Sequence, residues 1–160
     1  MQKKIWIGTW IMSFSLVLSA CSTNETTHPA TKHVTSSGDV RETTSSVDKL
    51  PSFLHKHDEN MTLLYQQAAQ HQTLLEHIPC YCGCGESAGH QNNYDCFVYE
   101  NKQDGSIVWD DHATKCGVCL EIAATSIREY KNGKSMKEIR QMIDETYKEG
   151  YAKPTPTKPL

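Results

Sequence analysis

Six of the seven cysteines in this 160-residue chain lie within the 40 residues from Cys80 to Cys119, and none lies between Cys21 and Cys80. Such clustering constrains a fold more than any apolar pattern does. Sulfurs this close in sequence must be paired with one another, bound to something, or held apart. The first group reads Pro79-Cys80-Tyr81-Cys82-Gly83-Cys84-Gly85. In extended chain, side chains at i, i+2 and i+4 point to one face. Three co-facial sulfurs are therefore expected in one short loop. Gly83 and Gly85 let the backbone bend, and Pro79 ends the preceding helix. The second group reads His112-Ala113-Thr114-Lys115-Cys116-Gly117-Val118-Cys119. Steps of four and three place His112, Cys116 and Cys119 on one face of a helix. The positive end of that helix would favour thiolate. His90 and Cys96 stand between the two groups.

The seventh cysteine belongs to a different signal. Met1-Gln2-Lys3-Lys4 is a short positive start, residues 5–18 are mostly apolar, and Leu18-Ser19-Ala20-Cys21 follows. This is the layout of a secretory signal peptide, expected over residues 1–20. Its last four residues resemble a bacterial lipobox, in which Cys21 would be lipidated and become the mature N-terminus. The apolar run is short for the ~20 residues of a spanning helix. The expected location is the cell membrane, lipid-anchored and facing the extracytoplasmic side. Loss of the signal removes Lys3 and Lys4 and moves the formal net charge from −3 to −5. That acidic balance argues against a nucleic-acid partner, which would call for a basic patch. No phosphate-binding glycine loop or nucleophile motif appears, so no nucleotide or flavin cofactor and no catalytic residue is assigned.

Residues 22–50 hold twelve Ser or Thr among 29 and no aromatic residue. Composition predicts a disordered tether over residues 21–52, carrying His28 and His33 as solvated side chains. Ala152–Leu160 contains three prolines and is expected to be a mobile, extended tail over 152–160. The folded unit is then 53–151. Its periodicity is mostly helical. Met61, Leu64, Tyr65, Ala68, Leu75 and Ile78 mark a first helix with Asn60 as N-cap. A second is expected from about Thr114 to Lys131, with Gly133 at its end. A third opens on the capping-box pattern Ser135-Met136-Lys137-Glu138. Tyr94–Glu100 and Ile107–Asp110 are β-prone around Gln103-Asp104-Gly105-Ser106, which predicts a short hairpin. The expected fold is a small, mainly α domain of about three helices with a cysteine-rich loop and one short β-hairpin.

The segments Pro79–Gly85, Gly89-His90, Asp95-Cys96-Phe97 and Trp109 through Cys119 resemble the PCYCGC-motif proteins, mostly lipoproteins predicted in Gram-positive bacteria. The similarity continues through Glu138-Ile139-Arg140 and Ile143-Asp144, covering about residues 76–147. It supports the boundaries and the cysteine set and implies no mechanism.

Three chemistries stay open. A metal–thiolate site would use Cys80, Cys82, Cys84, Cys96, Cys116 and Cys119, with His112 and His90 as borderline ligands. Soft sulfur selects Cu(I) or Zn. Six thiolates exceed the four of a mononuclear zinc site, which points to several ions or to two spare cysteines. Such a lipoprotein would bind the metal for delivery, storage or sensing. Three disulfides would instead make a stapled structural or interaction protein with an unidentified extracytoplasmic partner. Cys116-x-x-Cys119 could also exchange disulfides, although a thioredoxin-like fold would need a βαβ sheet. One shared metal site requires the Cys84 and Cys116 sulfurs to lie within about 10 Å, because metal–sulfur bonds are about 2.3 Å. Asp110 or Asp111 is expected to orient His112 or to cap the following helix. His77 is a reserve ligand; Glu86 and Tyr81 are expected to be solvated and packed, respectively.

Overall fold

The computed structural model describes residues 31–160. The expected signal peptide, Cys21 and His28 lie outside the described residues. In chain order the elements are β1 (Lys32–Val34), β2 (Val40–Thr44), a 3-10 turn (Ser52–Lys56), α1 (Glu59–Gln70), α2 (Gln72–Leu75) and α3 (Cys84–Ser87). A 3-10 turn (Tyr94–Cys96), β3 (Val98–Asn101), β4 (Ile107–Asp110), a 3-10 turn (His112–Lys115), α4 (Gly117–Lys131) and α5 (Met136–Thr146) follow.

The mainly α expectation is corrected. Among the described residues, five helical segments pack with a four-stranded antiparallel sheet of order β1-β2-β4-β3, so the fold is mixed α and β. The expected hairpin is present as β3 and β4, with a bulge between Val98 and Glu100. Tyr94–Cys96 is a 3-10 turn rather than the start of the strand. The unforeseen half of the sheet comes from the Ser/Thr-rich stretch. β2 pairs with β4 through Arg41 and Asp110, Glu42 and Trp109, Thr43 and Val108, and Thr44 and Ile107.

Composition misleads there because β2 turns polar groups inward and satisfies them. Thr44 Oγ1 accepts from Trp109 Nε1 at 2.8 Å. Buried Glu42 accepts from the backbone N–H and hydroxyl of Ser52 at 2.6 and 2.8 Å. Arg41 donates to fully buried Asp110 at 2.8 Å and lies over the Tyr99 ring. The strand is held by partners distant in sequence, which a local count of apolar residues does not register.

The helices follow the apolar pattern more closely. Asp58, not Asn60, caps α1 by accepting from Met61 N–H at 2.9 Å. The first helix breaks at His71 and resumes as the short α2. α4 starts at Gly117, three residues later than expected, because His112–Lys115 forms a tighter turn. The α5 capping box is complete, with both Ser135 and Glu138 engaged. Tyr65 from α1 lies at the core, with ring centroids 5.7 Å from Phe53, 5.0 Å from Phe97 and 6.3 Å from Trp109. Its hydroxyl donates to the Asp110 carbonyl at 2.9 Å and ties α1 to the end of β4. Among the described residues no helix is long and apolar enough to cross a membrane.

Candidate metal centre

Pro79 delivers the chain into the cysteine loop, and the C-terminal segment pins it. Thr155 Oγ1 accepts from Cys80 N–H at 2.9 Å, and Thr155 N–H donates to the Cys80 carbonyl at 3.0 Å. Ala152 N–H donates to the Tyr81 carbonyl at 3.1 Å. The tail expected to be mobile is thus a brace across the loop, with Thr155 buried. The two loop glycines have separate reasons. Gly83 has φ +88°, a left-handed backbone that L side chains rarely adopt. A Cβ on Gly85 would come within 3.1 Å of Thr155 Cγ2. Consequently Cys80, Cys82 and Cys84 do not run as one extended stretch of the loop: the backbone bends at Gly83, as its glycine allows, and Cys84 opens α3.

The loop meets α4 and the turn before β3. Cys80 Sγ lies 3.3 Å from Cys82 Sγ and 3.2 Å from Cys119 Sγ. Cys82 Sγ is 3.4 Å from Cys119 Sγ and 4.0 Å from His112 Nε2. Cys84 and Cys96 sulfurs are 3.9 Å apart, and Cys96 Sγ is 3.5 Å from His90 Nδ1. The His90 and His112 ring centroids are 4.7 Å apart. Asn93, fully buried, donates to the Cys119 carbonyl at 3.1 Å, while its N–H donates to the Ile78 carbonyl at 2.8 Å. That side chain fixes α4 against the entry to the loop.

All six cysteines and both histidines therefore converge. Their donor atoms fall into three overlapping sets of four, each with every atom within 4.8 Å of the others. The sets are Cys80, Cys84, Cys96 and Cys119; Cys82, His112, Cys116 and Cys119; and Cys84, His90, Cys96 and His112. Cys84 and Cys116 each lie within 4.8 Å of Cys119, so their sulfurs are no more than twice that distance apart. One shared centre is geometrically possible. None of these six cysteines is joined to another by a disulfide. The all-antiparallel sheet contains no βαβ unit around Cys116 and Cys119 among the described residues, which removes the thioredoxin-like context.

The protons of the cluster are unevenly shared. Contact with Cys119, and then with Cys82, holds the Cys80 thiol down at about 5. Cys82 is pulled well below the ordinary thiol range, first by Cys116 and then by Cys119. Burial opposes ionisation of Cys96, but its contacts with Cys119, Cys80 and Cys84 outweigh burial and lower it. Cys119 is pushed far up by Cys116, Cys80 and Cys82. Cys84 is pulled down by Cys119 yet ends high, because Cys80, Cys82 and Cys96 push it up. His112 is raised to about 11, mainly by Cys116 and then Cys82. Thiolates are stabilised here by neighbouring S–H donors and an imidazolium, positions that a thiophilic cation would take over with release of the protons. His90 is pushed down by burial and by charged His112, which leaves a neutral imidazole with a free lone pair.

The group orienting His112 is not the one expected. Asp39, from the turn before β2, lies 3.3 Å from His112 Nδ1 and directs Nε2 toward Cys82. Burial would raise the Asp39 carboxyl, but Ser37, Lys115 and His112 together hold it low. Asp110 instead accepts from the His112 backbone N–H at 2.9 Å, and Asp111 accepts from Val40 N–H at 2.7 Å and Lys115 Nζ at 2.8 Å. Asp39 was missed because it sits among Ser and Gly residues 73 positions from its partner. Its only local mark is the turn composition Ser36-Ser37-Gly38-Asp39. The reserve ligand His77 points elsewhere, with Nδ1 3.2 Å from the Lys158 carbonyl. Glu86 is exposed, and Tyr81 stacks on Tyr147 at 5.6 Å while its hydroxyl donates to Asp144. Met61, Met136 and Met142 pack against the apolar core.

The donor set fits a metal ion. Four sulfurs at about 2.3 Å from a tetrahedral ion lie about 3.8 Å from each other. The closest sulfur pairs, 3.2 to 3.9 Å apart, bracket that edge, and every sulfur pair within a set lies within 4.8 Å. His90 Nε2 is buried without a hydrogen-bond partner in the structure. These Cys and His groups could hold a metal ion.

No curated protein and no solved structure matches this chain. A family described as "Protein of unknown function with PCYCGC motif" matches it over residues 10–159. The match spans the sheet, the cysteine loop and α4, and on it the chain belongs to the PCYCGC-motif family.

Proposed function

We propose that this chain is an extracytoplasmic, membrane-anchored protein that binds a thiophilic metal ion, Zn or Cu(I), through its Cys/His cluster for delivery, storage or sensing. The observation that carries the reading is the convergence of eight soft or borderline donors into overlapping four-atom sets. Sets of four sulfurs, or three sulfurs and an imidazole, are the ligand chemistry of tetrahedral zinc, and thiolate also selects Cu(I). The carboxylate of Asp39 on the distal nitrogen of His112 is the usual outer support of a ligating histidine.

The test is to purify the full chain anaerobically in detergent, measure bound metal by mass, and count reactive thiols before and after chelation. Bound zinc or copper with thiols that become reactive only on chelation is the expected result. Six reactive thiols with no metal uptake contradict it. Three intact disulfides and no metal would establish the stapled structural alternative.

The anchor is supported by Leu18-Ser19-Ala20-Cys21 behind an apolar run. Cys21→Ser is expected to abolish incorporation of labelled fatty acid; undiminished labelling would contradict the anchor.

A further inference from the structure

Resting on the metal-binding reading, we propose that the cluster is a two-ion centre. In it the Cys119 sulfur bridges a buried four-sulfur site and a solvent-facing site of three sulfurs and one imidazole. Four-coordinate thiophilic cations such as zinc occupy both.

The argument is one of shared atoms. The set Cys80, Cys84, Cys96 and Cys119 is buried throughout, whereas Cys82, His112 and Cys116 are partly exposed. The two sets have one member in common, Cys119. A thiolate sulfur carries three lone pairs and can bind two cations at once. Taken together the two sets use every cysteine of the cluster plus His112 and leave no spare sulfur. A single four-sulfur site would instead strand Cys82 and Cys116 against it, with Cys82 Sγ only 3.3 Å from Cys80 Sγ.

The third set is an alternative to these two, not a third site. It takes Cys84 and Cys96 from the buried set and His112 from the exposed one. An imidazole nitrogen has a single lone pair, so His112 Nε2 cannot serve two ions, and its Nδ1 already faces Asp39 at 3.3 Å. Pairing the exposed set with the third set is therefore ruled out. Pairing the buried set with the third leaves Cys82 and Cys116 unused. His90 stands beside the two-ion centre without belonging to it.

The test titrates zinc into the reduced full chain in detergent and follows it by native mass spectrometry, then releases the zinc into a competing chelator. Two zinc ions per chain are expected, one released quickly and one slowly. Cys82→Ser and Cys116→Ser should each keep only the slow ion, and Cys119→Ser should weaken both. One ion at saturation, with two cysteines still open to alkylation, overturns the two-ion centre and leaves the metal-binding reading standing. No uptake at all overturns both. A readout independent of any variant is NMR of the unmodified chain loaded with a spin-active cadmium isotope. Two cadmium signals that split one another through the shared sulfur are expected, and two uncoupled signals overturn the bridge.

Discussion

The two halves of the cysteine cluster carry nearly the same donors and differ in how they are held. Cys80, Cys84, Cys96 and Cys119 are buried, and their positions follow from the core: the Thr155 brace, the turn before β3, and the Asn93 tie to α4. Cys82, Cys116 and His112 are partly exposed: the two cysteines pack against the edge of the core, and His112 is oriented by Asp39, which also holds Lys115. The first half is enclosed by the core, and the second stands at its edge, with one of its ligands held by a hydrogen bond at the surface. The same ligand chemistry should therefore be inert in the first and exchangeable in the second, because burial controls access to thiolate.

Substitution of the sulfur common to both halves is the severest way to test that contrast. Cys119→Ser is expected to lower zinc affinity by more than about a hundredfold, beyond the range of a supporting-group substitution. Competition with a calibrated chelator measures it. Alkylation is the next largest effect. Cys82 is held below the ordinary thiol range and is partly exposed, so in the metal-free chain its rate with iodoacetamide should fall less steeply from pH 8 down to pH 5 than that of an ordinary thiol. An ordinary thiol slows about tenfold per pH unit below its pKa of about 8.5. Peptide mapping should find Cys82 labelled at pH 6 while Cys80, also lowered but buried, is protected. Equal labelling of both would erase the contrast.

Asp39→Asn keeps the shape and removes the charge beside His112. It should weaken only the exposed half, by about ten- to a hundredfold, and leave the slowly released ion in place. The smallest effect is expected at the brace. Thr155→Val removes the acceptor of Cys80 N–H and should cost about 1 kcal/mol of stability in urea denaturation. A neutral result there would mean that the tail rests on the loop without supporting it.

Local signals served well where the structure is locally determined. The Ser135 capping box, the turn at Gln103–Ser106 and the apolar stripes of α1 and α4 could each be read because the partners lie within a few residues of each other. The eight donor residues were legible for a different reason: Cys and His at short spacing have few bland roles. The rest depends on distant pairing. β2 reads as a tether because its inward residues are Glu42 and Thr44, whose partners Ser52 and Trp109 lie 10 and 65 positions away. The last residues read as a mobile tail because nothing in Ala152–Leu160 announces that Thr155 meets Cys80, 75 positions back. Asp39 is invisible on both counts. A fragment beginning at residue 53 would lose β1, β2 and Asp39 together, so the functional unit extends into the segment that composition assigns to the tether.

The central claim is that sulfur from this cluster holds a thiophilic ion. X-ray absorption on the anaerobically purified, metal-loaded full chain tests it most directly. The account predicts an ion surrounded mainly by sulfur at about 2.3 Å. An ion with only oxygen and nitrogen neighbours, or six free thiols beside unbound metal, would contradict it.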